Sequence, residues 1–132
     1  MGLAENKQLV RGFFEASNRG DLGSSLEVLA DGVTWTNIGA TRYSGTYTGK
    51  KEVVEKLVGP LFGQLQAGII TTIHHMVAEG DFVVVEASGK ATTRDGRLYN
   101  NSYCHVFRIR DAKIVEVTEY MDTELVTAVF GR

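Results

Sequence analysis

Residues 97–121 read RLYNNSYCHVFRIRDAKIVEVTEYM. Apolar and polar side chains alternate through both halves, and Asp111-Ala112 interrupts them. Alternation with period two marks a half-buried strand, because successive side chains point to opposite faces. Two such runs across so short a break predict an antiparallel hairpin. In the second run, Lys113–Met121, one face carries Val115, Val117, Glu119 and Met121; the other carries Ile114, Glu116, Thr118 and Tyr120. The first face is apolar except for Glu119. A carboxylate turned toward an apolar interior is costly to ionise. That is the setting a proton-transferring carboxylate needs near neutral pH.

The same pattern extends upstream. Ile69–Glu79 and Phe82–Thr93 also read as strands, joined by Gly80-Asp81, and Arg94-Asp95-Gly96 leads into Arg97–Arg110. Connections this short predict an antiparallel meander. Helical signals come first along the chain. Leu9, Val10, Phe13, Phe14 and Ser17 share a face of a helix over Glu5–Asn18, with Gly20 as its stop and Asp21 as the next N-cap. The second helix is short, with Leu22, Leu26 and Leu29 inward, and Asp31-Gly32 breaks it. Val33–Ile38 reads as a strand, and Gly39–Gly49 as a loop. A third helix starts with Thr48 as cap and is kinked or split at Gly59-Pro60. Asp122–Phe130 reads as a last helical turn or a strand extension. Helices followed by a long antiparallel sheet predict an α+β domain, with the sheet curved around helices into a cone-shaped roll that encloses a pocket.

The chain has 132 residues, 43% of them apolar and 23% charged, which suits one domain spanning 1–132. A net charge of −2 with scattered basic residues argues against nucleic acid or an anionic membrane as partner. No run of apolar residues is long enough for a membrane span, and Met1–Lys7 lacks the basic and apolar regions of a signal peptide. Asn6 stands where a myristoylation signal takes Ser or Thr. A single cysteine, Cys104, excludes an internal disulfide and fits a cytoplasmic protein. The adjacent His74 and His75 invite a metal reading. Neighbouring strand residues face opposite sides, so the expectation is no metal site. Phosphate-binding glycine signatures and a nucleophile elbow are absent, and the expected cofactor set is none.

Face by face, the odd residues of the third long strand (Tyr99, Asn101, Tyr103, His105, Phe107 and Ile109) are the more aromatic set and are assigned inward. Val83, Val85, Ala87, Gly89 and Ala91 face inward from the strand before it, their small side chains leaving space. Trp35 and Asn37 share the inward face of the first strand. Asn37, His105 and Glu119 are then three polar side chains among hydrophobes. A buried imidazole and carboxylate can hold one proton between them, and Asn37 can orient a substrate oxygen. The same residues also have a plain structural use: a hydrogen-bonded core histidine with a carboxylate partner.

The element order and several strings resemble the nuclear transport factor 2-like superfamily, in its SnoaL-like branch, related to ketosteroid isomerases and polyketide cyclases. The carrying residues are Phe13-Phe14-Glu15-Ala16 and Asn18–Leu22, then Leu29–Trp35, Tyr43–Val53 and His105–Glu116, ending in Glu119–Thr123. Such proteins include isomerases, cyclases, hydrolases, dehydratases and non-enzymes. The SnoaL-type cyclases place an acid on the last strand and a His on the strand before it. Glu119 and His105 match those positions, with Glu in place of the usual Asp. The base Asp of ketosteroid isomerases corresponds to Asn37, which cannot abstract a proton. Their oxyanion Tyr corresponds to Phe13, and their protonated Asp falls at about His105. Limonene-epoxide hydrolases carry an Arg and an Asp around Ala87 and Gly89, both missing here. Of that set Asn37, Trp35 (in place of a Tyr) and Glu119 remain.

The resemblance and the inward faces together imply an acid/base isomerase or aldol-type cyclase acting on a small hydrophobic carbonyl compound. Glu119, His105 and Asn37 are its catalytic candidates. Trp35, Tyr99, Tyr103, Phe107 and Phe13 are its candidates for binding substrate. The rival reading is a non-catalytic ligand-binding or dimerisation domain, and an epoxide hydrolase is a third. A homodimer through the outer sheet face, with Val84, Val106 and Tyr120 as its apolar patch, is the expected assembly.

Overall fold

In the computed structural model, residues 2–132 are described; Met1, the first residue of the stretch read for targeting signals, lies outside them. Helix α1 (Leu3–Asn18) buries Val10, Phe13, Phe14 and Ala16. Asp21 caps α2 (Leu22–Glu27) by accepting the Ser24 N–H at 3.1 Å. Leu29 does not continue that helix but opens strand β1 (Leu29–Asn37). Asp31-Gly32 is absorbed by an irregularity within the strand. Its partner register passes from Leu29↔Ile114 to Thr34↔Glu116, so Ala30–Val33 bulge opposite the single residue Val115.

The expected loop after β1 contains a short edge strand, β2 (Gly45–Thr48), antiparallel to β1 with Tyr47 opposite Trp35. Four residues are too few for alternation to be read from sequence. Thr48 is not the cap of the following helix. Gly49 holds that position at φ +90°, and the Thr48 N–H donates to Glu52 Oε2 at 2.8 Å. The helical stretch runs as α3 (Lys50–Glu52), a π-helical segment (Val53–Val58) and α4 (Gly59–Phe62). Gly59-Pro60 thus changes the helix type more than it breaks the helix. Pro60 has no N–H to give, and the wider turn lets the Gly59 N–H reach the Val54 carbonyl.

The meander forms as expected from β3 (Ile70–Glu79), β4 (Phe82–Lys90), β5 (Ser102–Arg110) and β6 (Lys113–Met121). The order across the curved six-stranded sheet is β2-β1-β6-β5-β4-β3, with β1 and β6 parallel. Two expected strands are shorter than read. Residues 91–101 leave the ladder and keep only the isolated bridges Leu65↔Thr93 and Thr92↔Leu98. The face assigned to β6 is also corrected. A bulge between Arg108 and Ile109 pairs Ile109 with Ile114 and Arg108 with Glu116. Ile114 is therefore buried and Val115 only half-buried, while Val117 and Glu119 keep the inward side. Asp122–Phe130 resolves as a helix, α5 (Thr123–Phe130), with Asp122 accepting the N–H groups of Glu124 and Leu125.

Two apolar clusters result. One packs α1 into the sheet through Val10, Phe13, Phe14, Val85 and Phe107. The other holds α5 through Tyr43, Leu57, Tyr99, Val126 and Phe130. Trp35 and Tyr47 pack against both. Two guanidinium groups secure the end of α5: Arg42 donates to Phe130 O at 2.7 Å, and Arg97 donates to Val129 O. Cations at the unpaired carbonyls of a helix C-terminus are favourably placed. Among the described residues no helix is long and apolar enough to cross a membrane.

Gly89 does not leave empty space, as its small size suggested; the Tyr103 ring fills it. A Cβ at Gly89 would lie 2.7 Å from Tyr103 Cε2 and 2.8 Å from Ile69 Cγ2. Gly89→Ala is expected to destabilise the fold by about 1–3 kcal/mol. Gly12→Ala, where the new methyl meets nothing within 4 Å on α1, is expected to stabilise it by about 0.5–1 kcal/mol. Urea unfolding followed by circular dichroism checks both, and an unchanged midpoint for Gly89→Ala would contradict the packing described.

Candidate active site

Strand register brings the polar residues together. The β5–β6 pairing sets His105 opposite Glu119, and the β1–β6 pairing sets Asn37 beside Glu119 from the other side. The three residues form one row across adjacent strands. His105 Nε2 and Glu119 Oε1 lie 2.8 Å apart, with the side chains 5% and 17% exposed. The imidazole is held between the rings of Tyr103 and Phe107, whose centroids lie 5.4 and 5.7 Å away, and meets the edge of Phe14 at 5.2 Å. Its Nδ1 is buried and has no hydrogen-bond partner among the described residues. The His105–Glu119 bond takes a proton either on Nε2, facing an ionised carboxylate, or on Oε1, facing a bare Nε2.

Asn37 is less free than its position suggested. The Trp35 indole N–H donates to its Oδ1 at 3.0 Å, and its Nδ2 donates to the Tyr43 carbonyl at 3.2 Å. The oxygen is thus engaged, and one of the two amide hydrogens remains for a ligand. Tyr43 also receives the Tyr47 hydroxyl at its carbonyl (2.8 Å) and the Gln64 amide at its hydroxyl (2.5 Å). Tyr43 and Gln64 carry no chemical motif and come from different elements, so sequence parity has no means of joining them to Asn37. Asn101 is inward by parity as expected, but nothing local in the sequence signals its bonds to Tyr99 and to the backbone of Asp122.

These groups border a cavity of about 120 Å³ between the two apolar clusters. Phe13, Trp35, Asn37, Tyr99, Tyr103, His105 and Glu119 all line it. Phe107 does not; it is sealed in the core at 0% exposure and acts on the site through the His105 ring. An engineered apolar cavity of roughly 150 Å³ accommodates benzene, so the space here matches a body of about one six-membered ring.

His74 and His75 do not alternate across the sheet as regular strand geometry predicts. The ladder shifts between Ile73 and His75, and both imidazoles are exposed. His74 Nε2 bonds Ser88 Oγ at 2.9 Å, and His75 Nδ1 bonds Glu86 Oε1 at 2.7 Å. Among the described residues no three His, Cys, Asp or Glu side chains form a metal-holding group.

The family model for the SnoaL-like domain matches residues 10–117. No curated protein matches the chain. Several solved structures are similar throughout. An NTF2-like protein of unknown function from Burkholderia pseudomallei is 24% identical over 100% of both chains, with a TM-score of 0.86. A putative isomerase from Bacillus subtilis is 20% identical over 99% of this chain and 96% of its own, with a TM-score of 0.84. An epoxide hydrolase of limonene-epoxide-hydrolase-like type from M. tuberculosis is 21% identical over 96% of this chain and 89% of its own, with a TM-score of 0.78. At these identities the likeness is one of fold.

Burial pushes the phenols of Tyr99 and Tyr103 above their ordinary range; for Tyr103 the nearby Tyr99 and Glu119 add to the effect. A neutral form favoured by folding contributes stability that is complete below the unfolded value near pH 10. That stability is lost as pH climbs above it, because the unfolded chain ionises first. The melting temperature is expected to fall above about pH 10, and to fall less in Tyr103→Phe. An equal fall in both proteins would contradict the burial assigned to Tyr103.

Proposed function

The chain belongs to the SnoaL-like domain family of the nuclear transport factor 2-like superfamily, and we propose that it is an acid/base catalyst of proton transfer on a small hydrophobic carbonyl compound. The observation that carries this reading is the 2.8 Å contact between His105 and Glu119 in the wall of an apolar cavity. Glu119 Oε1 is occupied by the imidazole, and Oε2 has no hydrogen bond among the described residues. In the proposed reaction Glu119 takes the proton from the carbon next to the carbonyl. The C–H electron pair moves into the C–C bond, and the carbonyl π pair moves onto oxygen, giving an enolate. Where a β,γ double bond extends this enolate to a dienolate, Glu119 returns the proton to the γ carbon, the double bond shifts into conjugation and the carbonyl re-forms, which completes an isomerisation. Alternatively, the enolate carbon attacks a second carbonyl of the same molecule, and Glu119 protonates the new alkoxide, which completes an aldol-type cyclisation. His105 stabilises the carboxylate by donating through Nε2 and holds it toward the cavity. The remaining Asn37 amide hydrogen is placed to bind an oxygen of the substrate.

A general base on this scale contributes roughly 10²–10⁴-fold to a rate. Water activation of the epoxide-hydrolase kind lacks its residues, since the Arg and the Asp that the resemblance puts around Ala87 and Gly89 are missing. The cavity size supports a single-ring substrate over a polycyclic one.

Cyclohexanone in deuterated buffer provides a direct probe, because exchange of its α-protons is read by NMR. Wild-type protein is expected to accelerate that exchange. Glu119→Gln, nearly the same shape but unable to accept the proton, is expected to lower the accelerated rate by about 10²-fold or more. Full acceleration by the variant would end the role assigned to Glu119.

A further inference from the structure

The hydrogen-bond network around Asn101 leaves one donor over, on Tyr99, a residue that lines the cavity. Asn101 precedes β5 and is 2% exposed. Its Oδ1 accepts two backbone N–H groups, from Ser102 at 2.7 Å and Asp122 at 3.0 Å. Backbone N–H groups can only donate, so these bonds settle which end of the amide is oxygen. Nδ2 then donates to the Asp122 carbonyl and to the Tyr99 hydroxyl, each at 3.1 Å. The two oxygen lone pairs and both N–H bonds of Asn101 are all in use.

The Tyr99 hydroxyl is therefore an acceptor toward Asn101. The Tyr103 hydroxyl donates to the same oxygen at 3.4 Å. With both approaches to the oxygen filled, Tyr99 has only its own O–H left to offer. That hydrogen finds no acceptor among the described residues. Tyr99 is only 4% exposed, so bulk water does not satisfy it freely, and its ring lines the cavity beside Tyr103. A buried donor without a partner is costly, and a ligand oxygen removes the cost.

We infer that the Tyr99 hydroxyl is a ligand-binding donor, built to receive an oxygen that accepts hydrogen bonds, carried by an apolar body about one six-membered ring in size. A ketone, an enolate or a carboxylate has such an oxygen. This rests on the carbonyl reading of the cavity and extends it with a second anchor, separate from the His105–Glu119–Asn37 row. Burial also favours the neutral, donating form of the phenol. Tyr103 orients the Tyr99 oxygen and is a positioning residue.

The test compares two probes of the same size, cyclohexanone and methylenecyclohexane, which differ in the acceptor oxygen. Dissociation constants are measured by NMR titration. Wild-type protein is expected to prefer cyclohexanone by roughly tenfold, the worth of one hydrogen bond in a dry site. Tyr99→Phe is expected to lower the preference severalfold, leaving what the Asn37 amide hydrogen supplies. Tyr103→Phe removes the bond that orients the Tyr99 oxygen but not the Tyr99 hydrogen, and is expected to weaken the preference less than Tyr99→Phe does. Thermal melts confirm that each variant is folded. A preference undiminished in Tyr99→Phe overturns the inference, as does wild-type protein that binds both probes equally or binds neither. Should Glu119→Gln exchange cyclohexanone protons at the full rate while Tyr99→Phe lowers the preference, the catalytic reading falls and the anchor stands.

Discussion

The register of the β5–β6 hairpin is the constraint on which the site depends. A strand that slips by one residue turns every side chain to the opposite face. Here two local features set the pairing. The turn at Asp111-Ala112 places both residues at positive φ, +52° and +59°, the geometry that suits the twist of a tight hairpin. The bulge at Val115 then resets parity. Ile114 faces the core before it, and Val117 and Glu119 face the interior after it. Uninterrupted alternation from Ile114 would put Glu116, Thr118 and Tyr120 inside and send Glu119 to solvent. One unpaired residue is what allows a buried Ile114 and an inward carboxylate on the same strand.

Around that register the interior polar groups are satisfied mainly by one another. His105 meets Glu119, Trp35 and Tyr43 hold Asn37, and Asn101 holds Tyr99 and the start of α5. Such sets are stable in a low-dielectric interior only when nearly complete. At the cavity wall one hydrogen of Asn37, the second oxygen of Glu119 and the hydroxyl hydrogen of Tyr99 remain open, and His105 Nδ1 is buried without a partner among the described residues. The first three define what a ligand must supply. The apolar clusters on either side exclude water and give the ligand a surface to bury.

Much of this was legible in the residues. Period-two alternation over 82–121 located the meander and set Tyr103, His105 and Phe107 on one face, because long regular strands carry a strong repeating signal. The tie between His105 and Glu119 was legible only as two inward side chains on neighbouring strands and through the family resemblance; the short turn alone, with pairing uninterrupted, sets Glu119 opposite Cys104. Where the signal is short or non-local, reading failed. Strand β2 has four residues, Leu29 fits a helix face as well as a strand, and the bulges at Val115 and His74 change parity without any Gly or Pro to announce them. The lock on Asn37 needs Tyr43 from the next loop, and that on Asn101 needs the backbone of Asp122, twenty-one residues away. Such partners are set by tertiary packing, which a pattern along one strand does not contain.

The His105–Glu119 hydrogen bond is the central claim, and NMR of ring-labelled histidine observes it most directly. One slowly exchanging, low-field proton between His105 Nε2 and Glu119 is expected, and it disappears in Glu119→Gln while the signals of His74 and His75 stay in place. A His105 ring that exchanges freely with water, and whose signals do not change in that variant, would contradict it.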